Sequence, residues 1–159
     1  MRARFLIAAC LSLSACSKPE GAATSEELIS ADMLDGDSLP GQLADLAGIP
    51  ELGQAIFSER NAGHCVLCHK IGGLEVPFQG NVGPDLSDVG ARLSDAQIRL
   101  RIADASLIWP ETIMPPYYRR TGLHQVGSSY EGQPVLQADQ IEHLVAYLSE
   151  QKDLEREGE

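Results

Sequence analysis

A chain of 159 residues has a prior of one domain, and 43% hydrophobic with 22% charged residues is ordinary for a globular protein, which excludes wholesale disorder and a protein of many membrane spans. The formal charge of −11, from 12 Lys+Arg against 23 Asp+Glu, argues against nucleic acid as a partner. With only 1 Trp, 4 Tyr and 3 Phe, a core this small is short of large apolar side chains unless a cofactor fills its centre.

The N-terminus reads Met-Arg-Ala-Arg, then an apolar stretch from Phe5 to Leu13, then Leu13-Ser14-Ala15-Cys16. A charged start, a short apolar run and a zone of small residues make an export signal over residues 1–15, too short to span a bilayer. Leu13-Ser14-Ala15-Cys16 also resembles a bacterial lipobox, in which Cys16 is acylated and becomes the first mature residue; the other reading is an ordinary signal peptide with an incidental cysteine. Ser17 after the cysteine points to the outer membrane under the usual bacterial sorting rule. With Cys10 removed and Cys16 lipidated, only Cys65 and Cys68 remain, so no disulfide framework is expected.

Residues 16–48 read as the lipidated cysteine and an acidic linker, rich in Ser, Ala and Gly and without a sustained apolar period. Leu39, Leu43 and Leu46 have the spacing of one helical turn, but a solvated tether is the expectation. The folded domain is expected over 49–151, with an acidic tail at 152–159. Pro50 suits the first position of a helix that runs to about Arg60, with Leu52, Ala55 and Ile56 on one face and Phe57 beside them. Ser94 and Gln97 have capping-box spacing and open a second helix to about Ala105, with Ile98, Ile102 and Ala105 on its apolar face and Arg99 and Arg101 off it. A third helix is predicted over about Ala138 to Gln151, where Ile141, Leu144, Val145 and Leu148 form a stripe. No run of alternating residues predicts sheet.

Cys65-Val66-Leu67-Cys68-His69 is a c-type haem attachment sequence. Two cysteines three apart lie on nearly the same side of one helical turn, so both thiols reach the two vinyl groups of one porphyrin, and the next residue offers its imidazole to the iron. A thioredoxin-like pair needs a βαβ context that is missing, and a zinc site needs a second Cys/His pair; His64 is poorly placed to close a tetrahedron. Met1 is removed and Met33 lies in the acidic segment, which makes Met114, between Thr112-Ile113 and Pro115-Pro116, the methionine placed to be the other axial ligand. His124 is the alternative, and His143 is expected on the polar face of its helix. His/Met ligation raises the reduction potential and leaves no open coordination position, which suits electron transfer rather than substrate binding.

Residues 49–148 resemble a class I c-type cytochrome: an opening helix with Gly53 and Phe57, Cys65 to His69, Gly83-Pro84, Met114-Pro115 and a closing helix with Tyr147. The resemblance implies an all-α fold wrapped around one covalently bound haem c, Gly53 packing closely against Tyr147, and Pro84 as carbonyl acceptor for the second imidazole N–H of His69. A ligating imidazole needs such an acceptor to fix its tautomer. Gly80-Asn81-Val82-Gly83-Pro84-Asp85-Leu86, Met114-Pro115-Pro116-Tyr117-Tyr118, Gly122-Leu123, Tyr130-Glu131-Gly132 and Gln140 to Leu148 are similar, more narrowly, to the SoxX family of small monohaem cytochromes.

That resemblance implies a periplasmic electron-transfer subunit paired with a SoxA cytochrome in a SoxAX complex, an L-cysteine S-thiosulfotransferase that joins thiosulfate to a cysteine of the carrier SoxYZ, with a downstream cytochrome c taking the electrons. The alternative is a stand-alone, lipid-anchored electron carrier. Lys70 follows His69, and Arg119 and Arg120 follow Met114, so these bases are expected to steer an acidic partner to the haem edge.

Overall fold

The first and last helices of the domain cross closely, and the residue that permits it is Gly53. In the computed structural model, which describes residues 28–61 and 63–152, α1 is Pro50–Ser58, α2 Cys65–Cys68, α3 Val89–Arg92, α4 Asp95–Asp104 and α5 Ala138–Ser149. A Cβ built at Gly53 would overlap the carbonyl of His143 and lie 2.7 Å from the Cβ of Tyr147, so α1 approaches α5 as only a residue without a side chain allows. One turn later the rings of Phe57 and Tyr147 meet at 5.9 Å with a 55° tilt. The buried face of α1 is therefore Gly53 and Phe57. Leu52 and Ala55, expected inside, are exposed, because the close crossing turns the glycine side of the helix inward.

Local signals place the other helices. Pro50 occupies the first turn of α1. Ser94 Oγ accepts from Gln97 N–H at 3.3 Å, and Gln97 Oε1 accepts from Ser94 N–H at 3.0 Å, which satisfies two donors at the start of α4. α5 opens with a second capping box between Gln137 and Gln140. Ile141, Leu144, Val145 and Leu148 are all buried, and they pack in one core with Ile98, Leu100, Ile102 and Ala103 of α4. Among the described residues no strand forms; Asp35 and Ser38 make an isolated bridge. No helix among them is long and apolar enough to cross a membrane.

Two expectations are corrected. Arg99 is not off the apolar face: it is buried and makes a two-pronged ion pair with Glu142 of α5, Nε to Oε1 and Nη2 to Oε2, each 2.9 Å. Nor are residues 28–48 a solvated linker, and the expected helical turn at Leu39, Leu43 and Leu46 does not form; a short 3-10 turn at Ala31–Met33 is present instead. They run as an irregular strap over α4 and α5, with Ile29 and Leu39 in the core. Leu39 N–H donates to Ala96 O at 2.9 Å, Arg99 Nη1 donates to Leu39 O at 2.9 Å, and Leu43 N–H donates to Glu142 Oε1 at 2.8 Å. The buried pair thus serves the strap's backbone groups as well as each other, which is why a polar, aperiodic segment can pack there. The export signal, Cys16 and residues 153–159 lie outside the described residues.

Candidate haem site

α2 is a single turn that begins after His64, whose φ is +59°, and ends where His69 turns extended. That turn sets Cys65 and Cys68 on one side and releases the His69 side chain beyond it. The loop from Gly80 to Leu86 is pinned back onto it by three backbone bonds: Gly80 N–H to Val66 O at 2.9 Å, Gly83 N–H to Cys68 O at 2.8 Å, and Leu86 N–H to Lys70 O at 2.9 Å. Within that loop Pro84 O lies 2.8 Å from His69 Nδ1. A carbonyl only accepts, so Nδ1 carries the proton and Nε2 keeps its lone pair. Gly83 lies against the same ring: a Cβ there would fall 2.6 Å from Nδ1.

Cys65, Cys68, His69 and Met114 all line one cavity of about 560 Å³. Its remaining wall is largely apolar, with Leu86, Ile98, Ile102, Leu144 and Leu148 among the lining residues, in the size range of small-molecule and cofactor pockets. Met114 arrives on a loop fixed at its base, where Tyr118 N–H donates to Ala103 O at 2.9 Å and Leu136 N–H to Tyr117 O at 3.1 Å. Met114 N–H donates to Thr112 Oγ1 at 3.2 Å. His124 is exposed and does not line the cavity. His143 lies away from it too, with Nδ1 accepting from Ile49 N–H at 3.0 Å at the start of α1, a role its place in the sequence did not suggest.

The donor set fits a covalently held haem and not a zinc ion. Among the described residues no group of three or more His, Cys, Asp or Glu is placed to hold a metal ion. Burial pushes the Cys65 thiol up to about 12.

Sequence reasoning missed part of the wall. Trp109, Arg92 and Arg101 also line the cavity, and the Arg101 guanidinium lies 4.9 Å from the centre of the Trp109 ring. A lone tryptophan five residues before Met114 was the available signal. Two of the three flanking bases differ from expectation, while Arg120 is exposed. Lys70 pairs with Asp85 at 3.3 Å, and Arg119 pairs with Asp104 while donating to Ser106 Oγ at 2.8 Å. Charge that is already compensated within the chain steers a partner weakly.

The family described as Cytochrome c matches residues 50–152. A chain in the crystal structure of SoxXA from P. pantotrophus is 34% identical, with a TM-score of 0.70, over 75% of this chain and 93% of that one. The c-type cytochrome SorU from Sinorhizobium meliloti is 22% identical, with a TM-score of 0.41, over 62% of this chain and 85% of that one. No curated protein matches the sequence. The domain from Pro50 to Lys152 therefore belongs to the cytochrome c family, as a SoxX-like member that carries one covalently bound haem c.

Proposed function

We propose that this chain is the electron-accepting subunit of a SoxAX-type complex in the periplasm, with Cys65 and Cys68 as thioether anchors and His69 and Met114 as axial ligands. The observation that carries the reading is one cavity lined by all four residues, with the His69 tautomer set by Pro84. Held there, haem c would supply one-electron chemistry, with His69 and Met114 as the iron's protein ligands. Joining thiosulfate to a carrier thiol forms a sulfur–sulfur bond and releases two electrons and one proton. A subunit with one haem takes those electrons singly and passes each to a downstream cytochrome c. The SoxXA match supports a SoxA partner, whose haem would lie at the site of sulfur chemistry, with SoxYZ reached through that partner.

The docking face is apolar rather than basic. Ile113, 81% exposed, and the exposed Leu67 and Val82 stand at residues lining the cavity, while Phe78, 91% exposed, projects from the loop before Gly80. Phe78 has φ +58°, a region that bulky residues avoid, and Arg60 Nη2 holds the turn by donating to Pro77 O at 2.8 Å and Phe78 O at 3.0 Å. Held outward in this way, the ring offers desolvation energy to a partner.

The test is to mix the haem-loaded protein with its SoxA-type subunit and add thiosulfate and carrier. A 1:1 complex with thiosulfate-dependent reduction of this haem is expected. Absence of both leaves the second reading, a stand-alone carrier tethered through acylated Cys16, which the Leu13 to Cys16 sequence favours.

A further inference from the structure

The strap meets a residue that lines the haem cavity, Arg101, through Asp37. Asp35 and Ser38 exchange backbone bonds of 3.0 and 3.1 Å, closing a turn, and Leu39 N–H ties that turn to α4 through Ala96 O at 2.9 Å. The turn presents Asp37 to α4. Its carboxylate accepts from Arg101 Nη2 at 2.8 Å and from Gln97 Nε2 at 3.0 Å to each oxygen, and its carbonyl accepts from Arg101 Nη1 at 3.1 Å. Arg101 Nη1 donates also to Gln97 O at 3.0 Å. These bonds occupy three of the five guanidinium donors, two of them at Asp37. Arg101 lines the cavity with its side chain 16% exposed, whereas that of Asp37 is 49% exposed.

We propose that Asp37 is a positioning residue for the haem site: it fixes the Arg101 cation against the cavity wall, and through it the strap of residues 28–48 raises the reduction potential. The exposures decide which charge matters. Water screens the Asp37 carboxylate, while the Arg101 guanidinium lies beside an apolar cavity where its field is screened least. Oxidised iron carries one more positive charge than reduced iron, so a cation held nearby favours the reduced form. Without the Asp37 carboxylate, Arg101 keeps only neutral acceptors and the face of the Trp109 ring, and its long side chain, with much rotamer freedom, is held less firmly at the wall. Arg101 and Gln97 hold the Asp37 carboxyl below its usual value of 3.8, so the pair stays charged at neutral pH.

The test is equilibrium redox titration of the full-length, haem-loaded protein, which needs no partner and so stands apart from the SoxAX assignment. Asp37→Ala is expected to lower the potential, Arg101→Gln to lower it further, and Asp37→Ala placed on Arg101→Gln to add nothing. Asp37→Glu is expected to recover part of the loss. Should Asp37→Ala fail to hold haem, Asp37→Asn keeps an acceptor for Gln97 and reads the same sign. A rise in potential would mean that Asp37 acts only as a nearby negative charge; no change would mean a structural role alone; an equal shift in the Arg101→Gln background would remove the coupling. Any of these three overturns the proposal.

Discussion

His69 is gripped from two sides, by the Pro84 carbonyl that takes its Nδ1–H and by Gly83, which leaves no room for a side chain beside the ring. Gly83→Ala should therefore push the imidazole off its acceptor and cost about 1–3 kcal/mol, the range of an overpacked site. Denaturant unfolding of the haem-loaded protein measures it, and an unchanged midpoint would show that the loop gives way freely. Met114 can be read separately. Met114→Ala is expected to abolish the long-wavelength sulfur-to-iron band of the oxidised protein and to open the iron to added ligands such as imidazole. A variant that kept the band would remove Met114 from the axial position. Pro84 and Met114 were legible as residues because each has a backbone or side-chain property its neighbours lack. Arg101 and Trp109 were not, since an arginine on a helix and a lone tryptophan have many other uses.

At the scale of elements, two contacts hold the helices and the strap together. The α1–α5 crossing depends on backbone meeting backbone at Gly53, and a backbone cannot rotate away as a side chain can. Gly53→Val should lower the unfolding midpoint sharply, while Leu52→Ser on the exposed side of the same helix should leave it nearly unchanged. The buried pair is the second contact, with Arg99 6% and Glu142 2% exposed in their side chains. Glu142→Ala strands a buried cation and frees Leu43 N–H, so a loss of about 3–5 kcal/mol is expected. Hydrogen exchange should then show the strap opening with it. Tyr147 adds a pH dependence: burial raises its pKa from 10.0, so its contribution is present below pH 10 and is lost as pH rises above it. Tyr147→Phe should flatten that alkaline loss of stability.

For the molecule as a whole, the strap shortens any tether. If Cys16 is acylated, twelve residue steps separate it from Leu28, a reach of at most about 40 Å. Mass spectrometry of the mature protein, finding diacylglycerol on Cys16 or an unmodified N-terminus beyond it, decides the anchor. Partner binding should follow the apolar ring. Phe78→Ser and Ile113→Ser are expected to weaken association with the SoxA-type subunit mainly through faster dissociation, with little change as salt rises, whereas an effect confined to low salt would restore the basic face as the docking surface.

Short-range features of the sequence determined the all-α domain, the attachment turn, the capping box of α4, the core stripe of α5 and the candidate residues that line the cavity. Each depends on residues within a few positions of one another, where spacing fixes geometry. The close packing of Gly53 against Tyr147 was implied by the family resemblance and is present; only the tertiary structure decided that Leu52 and Ala55 face outward, that Arg99 belongs inside with Glu142, and that residues 28–48 are part of the fold. The last two share a physical reason. A buried polar group or an aperiodic segment is stable only if its hydrogen-bond partners arrive from elsewhere in the chain, and Leu39 and Leu43 meet theirs on helices that begin more than fifty residues later.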